Sequence, residues 1–209
     1  MPDGDSRIGL DLVAPEVYAP MLRRLALVSA AVGVGVAVLA AMMASWPVAV
    51  AFGLVVGAPT AGYAMAARRR RMWLSGTVIH AQRLFGARRI ELAAANGVEL
   101  LVYPGRLSRV ALRVTAGPDA QIVPLAMYTD AGSGRELHLL GLRKLADALA
   151  ASELAAAVAV SSVLVRQLRA EARDAALGER PLYLAVRLAR AKELISPFVL
   201  SDREVAELS

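Results

Sequence analysis

From Leu25 to Ala67 the chain runs for 43 residues without a charged side chain. A helix needs about 20 consecutive apolar residues to cross the hydrocarbon of a bilayer, so this stretch is long enough to cross twice. Its midpoint, Ser45-Trp46-Pro47, interrupts it. Proline has no N–H to donate inside a helix but fits the first turn of a new one. The sequence therefore predicts two spans, Leu25–Ala44 and Val48–Ala67, each about 30 Å long at 1.5 Å per residue. Trp46 would sit at the far interface, where indole rings collect. Composition agrees: 57% of the 209 residues are hydrophobic and only 20% are charged, with mean hydropathy +0.50. That apolar share is above the usual one for a soluble domain.

The flanks set an orientation. Arg23 and Arg24 precede the first span, Arg68, Arg69, Arg70 and Arg71 follow the second, and the turn between them is uncharged. Arginines near span ends are retained on the cytoplasmic side, so these six are expected to anchor the hairpin with both termini in the cytoplasm, as a multi-pass protein of the cell (inner) membrane. The net charge of +6 is concentrated there: residues 68–113 hold ten arginines against Glu91 and Glu99. A nucleic-acid binder spreads its basic groups over a folded face and interleaves aromatic platforms, and this run does neither, so no nucleic acid is expected. A cleaved signal peptide is disfavoured because the apolar run is too long and a second follows at once; Arg23-Arg24 is a poor twin-arginine signal. Arginine outnumbers lysine 22 to 2, the codon bias of a GC-rich, actinobacterial genome.

Gly53, Gly57 and Ala61 recur every four residues on the second span, and Gly33 and Ala37 do so on the first. Such stripes let helix backbones approach in lipid. The spans are expected to pack on each other, with a dimer seam as the alternative. Neither span contains an Asp, Glu, Lys, Arg or His, whereas pumps and proton relays carry such a group at membrane depth; a transporter working alone is disfavoured.

After Trp73 the pattern changes to short runs of valine, leucine and isoleucine between turn signals. Candidate strands are Leu74–Leu84, Arg88–Leu92, Val98–Tyr103, Arg109–Thr115, Gln121–Met127 and Arg135–Leu140, separated by Gly86, Asn96-Gly97, Pro104-Gly105, Gly117-Pro118 and a glycine-rich turn at 130–134. This density predicts an antiparallel sheet or small barrel. Residues 141–151 then read as a helix with Leu142, Leu145, Ala146 and Leu149 on one face. The runs Leu74-Ser75-Gly76-Thr77-Val78-Ile79 and Arg88-Arg89-Ile90-Glu91-Leu92, with the closing Leu139-Leu140-Gly141-Leu142-Arg143-Lys144-Leu145, resemble a bacterial pleckstrin-homology-like (PH-like) domain over about residues 72–151. The resemblance implies a binding or assembly module behind a two-helix hairpin, with no catalytic residue to carry over; fold alone does not fix function. Arg83, Arg88 and Arg89 surround the Leu84-Phe85-Gly86 turn and are candidates for headgroup or partner contact, at about 1 kcal/mol each near an anionic surface.

The last third reads as helical. Ser152–Leu177 suits one long helix whose apolar stripe is Leu154, Val158, Val165, Leu168, Ala172 and Ala175, beside a basic stripe of Arg166, Arg169 and Arg173. A second helix runs from Pro181 to about Ile195, and Ser201-Asp202-Arg203-Glu204 resembles a capping box. The expected organisation is a cytoplasmic arm (residues 1–24, read as loose), the transmembrane hairpin (25–67), a cytoplasmic β-rich PH-like domain (68–151) and a helical C-terminal region (152–209): a membrane α+β protein.

No catalytic constellation emerges. His80 and His138 fall on separate predicted strands, there is no cysteine, and Gly132-Ser133-Gly134 lacks the strand–elbow–helix setting of a hydrolase nucleophile. No phosphate-cradling loop occurs, and Glu91, Glu99, Asp119 and Asp130 are too scattered for a metal site. No cofactor, metal or small-molecule substrate is expected. The function implied is a membrane-anchored scaffold or adaptor that binds protein or lipid headgroups or associates with itself; the alternative is a non-catalytic accessory subunit of a membrane transport, envelope-synthesis or division complex.

Overall fold

The computed structural model describes residues 7–13, 15–43, 45–82, 86–193 and 196–209. Two long apolar helices are followed by antiparallel sheets and further helices, and the chain divides into two units: one holds Val13–Arg71 and Gln82–Gly86, the other Met1–Leu12, Met72–Ala81 and Ala87–Ser209.

In the first unit, α1 (Pro15–Ala41) and α2 (Trp46–Arg69) pair as a hairpin. Both are long and apolar enough to cross a membrane. α1 starts ten residues before the expected first span, so Arg23 and Arg24 lie within the helix, both exposed. It ends at Ala41, Met42 and Met43 turn, and Ser45 caps α2 with Pro47 in the first turn; residue 44 lies outside the described set. The helices touch backbone to backbone. A Cβ built on Gly53 would lie 2.6 Å from the Gly33 carbonyl oxygen and 2.8 Å from the Ala37 Cβ, and one on Gly57 would lie 3.2 Å from the Gly33 Cα. Only glycine permits that approach. The Ser29 hydroxyl donates to the Gly57 carbonyl at 3.0 Å across the same contact.

The second unit opens with β1 (Ile8–Gly9), which pairs antiparallel with β2 (Arg71–Ser75) in the register Ile8 opposite Leu74. The arm expected to be loose is therefore fixed over these residues. Its period of two explains why: Ile8 and Leu10 turn inward and Gly9 outward, and Leu10 is fully buried. The Leu10 N–H donates to the Met72 carbonyl at 2.8 Å, and the Met72 N–H donates to Asp11 Oδ2 at 3.3 Å. β2, β3 (Val78–Gln82) and β4 (Ala87–Glu91) complete a four-stranded sheet in chain order. One long strand had been expected from Leu74. Instead, Gly76 takes φ +59 and turns the chain into a hairpin.

A five-stranded sheet follows, built from β5 (Gly97–Tyr103), β6 (Leu107–Ala116), β7 (Asp119–Thr129), β8 (Gly134–Glu136) and the short β9 (Phe198–Val199), in the order β8-β7-β6-β5-β9. Pro124 sits inside β7, where a proline would ordinarily break a ladder; the register shifts there, between Val110 and Ala111 of β6, and accommodates it. The expected strand Arg135–Leu140 ends at Glu136, and His138 instead occupies the cap before α3 (Leu139–Ala150).

α3 buries Leu142, Leu145, Ala146 and Leu149, the expected face. α4 (Ala155–Ala172), α5 (Pro181–Ala191) and α6 (Asp202–Leu208) follow. Residues 152–209 share one core with the sheets: Val160, Val163, Leu164, Leu182, Val186 and Val205 join Leu100, Leu112 and Leu125. The stripe expected on α4, with Ser161 filling its gap, meets the buried face only in part: Ser161 turns inward and Leu154, Val165 and Leu168 pack half-buried against the core, while Val158 is exposed. Ala157, Val160, Val163, Leu164, Gln167 and Ala170 complete the buried face, and the Ser161 hydroxyl donates to the Ala146 carbonyl at 2.8 Å, which ties α4 to α3. α6 carries the expected capping box between Ser201 and Glu204.

If Leu10 belongs to this core, Leu10→Ala should lower stability by about 2–5 kcal/mol, measured by denaturant unfolding of the full chain in a non-ionic detergent. A change below about 0.5 kcal/mol would mean that the N-terminal strand is not part of the folded unit.

Candidate functional site

Gly53 and Gly57 face Gly33 on α1 at the closest approach of the helices. With Ala61 they also border an open apolar groove of about 550 Å³, whose walls include Val34, Trp46, Val50 and Leu54. Around the rest of the hairpin most of the large apolar side chains are exposed: Trp46 is 75% exposed, Val55 72% and Met43 93%.

The arginines at the helix ends differ in setting. Arg68 and Arg69 are the last residues of α2; their side chains lie outside the described set. Arg70 caps the helix, its N–H donating to the Ala67 carbonyl at 3.3 Å, and Arg71 opens β2; both are exposed. Close behind, the ring of Trp73 stacks on His80 of β3 with centroids 5.2 Å apart, and the Arg7 guanidinium lies 6.0 Å from the Trp73 centroid.

Of the three arginines expected near the 84–86 turn, two lie among the described residues. Arg83 lies outside the described residues. Arg88 is engaged within the sheets, 3.1 Å from the Asp119 carboxylate and donating to the Ala120 carbonyl at 3.1 Å. Arg89 is exposed.

A polar cluster that apolar periodicity could not show lies where β7, β8, α4 and α5 meet. Glu136, at the end of β8, has a side chain only 8% exposed. Its Oε1 accepts the Tyr128 hydroxyl at 2.6 Å, and its Oε2 accepts Gln167 Nε2 at 2.7 Å and Arg180 Nη1 at 3.0 Å. Fully buried Gln167 uses its other end as well: Oε1 accepts the Leu182 N–H at 3.2 Å, satisfying a free donor in the first turn of α5. Burial, reinforced by the neighbouring Glu136, pushes the Tyr128 phenol well above its usual range, so it remains a donor. Glu171 is also pushed up, chiefly by burial and then by repulsion from Glu136, partly offset by Arg180. With three donors on it, Glu136 is occupied as a structural acceptor and holds α4 and α5 to the sheet. The sequence offers only a faint clue, since Glu136 and Gln167 each stand between an arginine and a leucine.

Gly132-Ser133-Gly134 closes the β7–β8 hairpin, with the Ser133 carbonyl accepting the Thr129 N–H at 2.7 Å and the two hydroxyls 2.7 Å apart. Among the described residues, no three His, Asp or Glu side chains gather as a metal site. Compared with protein-family models, curated proteins and solved structures, the chain matches none.

Glu136→Ala should cost about 3 kcal/mol or more, because it leaves Arg180, Gln167 and Tyr128 without their common acceptor. Glu171 should act in the opposite direction. Its carboxyl binds a proton more tightly folded than unfolded, so its ionisation costs stability above the raised folded value, and the cost disappears as pH falls toward the unfolded value of about 4.5. Glu171→Gln should therefore stabilise the chain at pH 7 and flatten its stability profile between pH 7 and about 4.5, read from unfolding midpoints across that range. A destabilised, steeper variant would contradict this.

Proposed function

We propose that this chain is a two-pass membrane-anchored scaffold: α1 and α2 cross the cell membrane, both flanks lie in the cytoplasm, and the strand-rich unit offers binding surfaces there without catalysing a reaction. One observation carries the proposal, the uncovered apolar surface on nearly all sides of both helices. Each large apolar side chain left in water forgoes about 1.5–3 kcal/mol of burial, and monomeric soluble proteins rarely expose apolar patches above a few hundred Å². Lipid removes that cost, and a helix satisfies its own backbone there.

The β1–β2 ladder supports the orientation. The chain leaves the strand-rich unit after Leu12 and rejoins it at Met72, beside the Leu10–Met72 hydrogen bond. Both ends of the hairpin thus start from one place, as two cytoplasmic flanks require. The exposed Arg23, Arg24, Arg70 and Arg71 supply the retained charge on this reading. A PH-like identity belongs to the same proposal and is supported by element order: a meander β2–β4 with β1 on its edge, a second meander β5–β8, then α3.

The groove between α1 and α2 favours a second reading, in which another protein's helix lies there and the chain is an accessory subunit of a larger membrane complex. Purification in mild detergent separates the two. A fixed stoichiometric companion supports the subunit; the chain alone supports the scaffold.

The absence of cysteine makes topology directly measurable. Cysteines placed by Asp5→Cys and Ser209→Cys should resist an impermeant thiol reagent in intact cells and react after permeabilisation, whereas one placed by Met43→Cys should react in intact cells. The reverse pattern would overturn the orientation. Replacing Arg68, Arg69, Arg70 and Arg71 with glutamates should make a substantial fraction of the Ser209→Cys population reactive from outside; an unchanged pattern would remove these residues as the anchor.

A further inference from the structure

The outward side of α4 carries the strongest unabsorbed feature of the strand-rich unit. Arg166, Arg169 and Arg173, with Ser161, Ser162, Val165, Ala172 and Ser209, line an open groove of about 790 Å³. At ~100° per residue, Ser162, Arg166, Arg169 and Ala172, half-buried Val165 and the cap residue Arg173 fall on one continuous face of α4, with inward-turned Ser161 at its edge, and Glu171, the nearest acid on the helix, falls on the opposite one. Glu207, on neighbouring α6, lies with its carboxylate 3.6 Å from Arg203. The face is therefore a row of three cations with apolar and hydroxyl wall between them.

Arg166 already holds polypeptide: its Nη1 donates to the Ser209 carbonyl at 3.0 Å and lies 3.5 Å from the Glu207 carbonyl, at the C-terminal end of α6. Arg169 and Arg173 are exposed, and their side chains take part in no hydrogen bond or ion pair among the described residues. The three positions are strung over roughly 10 Å of helix at 1.5 Å per residue. Carboxylates spaced along a peptide can meet such a row in sequence. Val165 and Ala172 give the same occupant an apolar footing.

We propose that this groove docks an acidic, amphipathic segment of a partner polypeptide, with its carboxylates on Arg169 and Arg173 and its apolar side chains against Val165 and Ala172. This gives the proposed scaffold a class of partner and rests on that reading only to that extent. The groove lies wholly within the strand-rich unit, so a failure of the topology measurement leaves it standing, and its own failure leaves the topology standing.

The test uses the full chain in non-ionic detergent and a fluorescent amphipathic peptide with glutamates at i, i+3 and i+7 and leucines between them. Fluorescence anisotropy should show saturable binding that weakens as salt is raised. It should fall about tenfold or more in the double variant Arg169→Glu/Arg173→Glu, since each change turns an attraction into a repulsion. Arg203→Glu, on exposed α6, controls for net charge and should change binding less than about twofold; equal thermal midpoints for the variants would establish that folding is intact. The proposal is overturned by no saturable binding, by equal losses in the control, or by equal binding of the glutamine version of the peptide. It is equally overturned if inositol hexakisphosphate or anionic-lipid vesicles bind through the same two arginines while the glutamate peptide does not.

Discussion

Most of the large apolar side chains of α1 and α2 are exposed, a surface that is costly to leave in water. That constraint organises the rest of the molecule. Inside the hairpin Gly33 meets Gly53 and Gly57, and the Ser29 hydroxyl bonds the Gly57 carbonyl. These hold two backbones together through close approach, the form of packing that remains useful when the surroundings are as apolar as the side chains. Little of the helices' hydrophobic surface is buried by that contact, and lipid is the cover proposed for the rest.

The strand-rich unit solves a different problem. It must accept a chain that leaves for 59 residues, from Val13 to Arg71, and returns. The β1–β2 ladder does so by placing the last residues before the excursion next to the first residues after it, with Leu10 in the core on one side and Leu74 on the other. At the other end of the unit, the Glu136 cluster joins β8 to α4 and α5. Buried ion pairs are weak sources of net stability but break expensively, so this one fixes which helix face meets the sheet more than it adds to the depth of the fold.

The two apolar helices, the antiparallel strands and the face of α3 were legible because each follows a simple period. What was not legible depended on partners distant in sequence. Ile8 and Leu10 alternate correctly for a strand, yet nothing local says that β2, more than sixty residues on, will pair with them. Gly76 was read as part of a strand because one glycine in a valine-rich run does not announce a positive φ. Gln167 misdirected the assignment of α4, since an amide counts as solvent-facing until its two partners are seen. Of the candidate contact residues, Arg88 shows the same lesson: its charge is visible in the sequence, but its engagement with Asp119 requires the fold.

The central claim is that lipid covers the hairpin, and alkaline carbonate extraction of membranes containing the full chain tests it most directly. The account predicts that the chain stays in the sedimented membranes after the wash and is released only by detergent. Release into the aqueous supernatant, or a monodisperse chain in buffer without detergent, would contradict it.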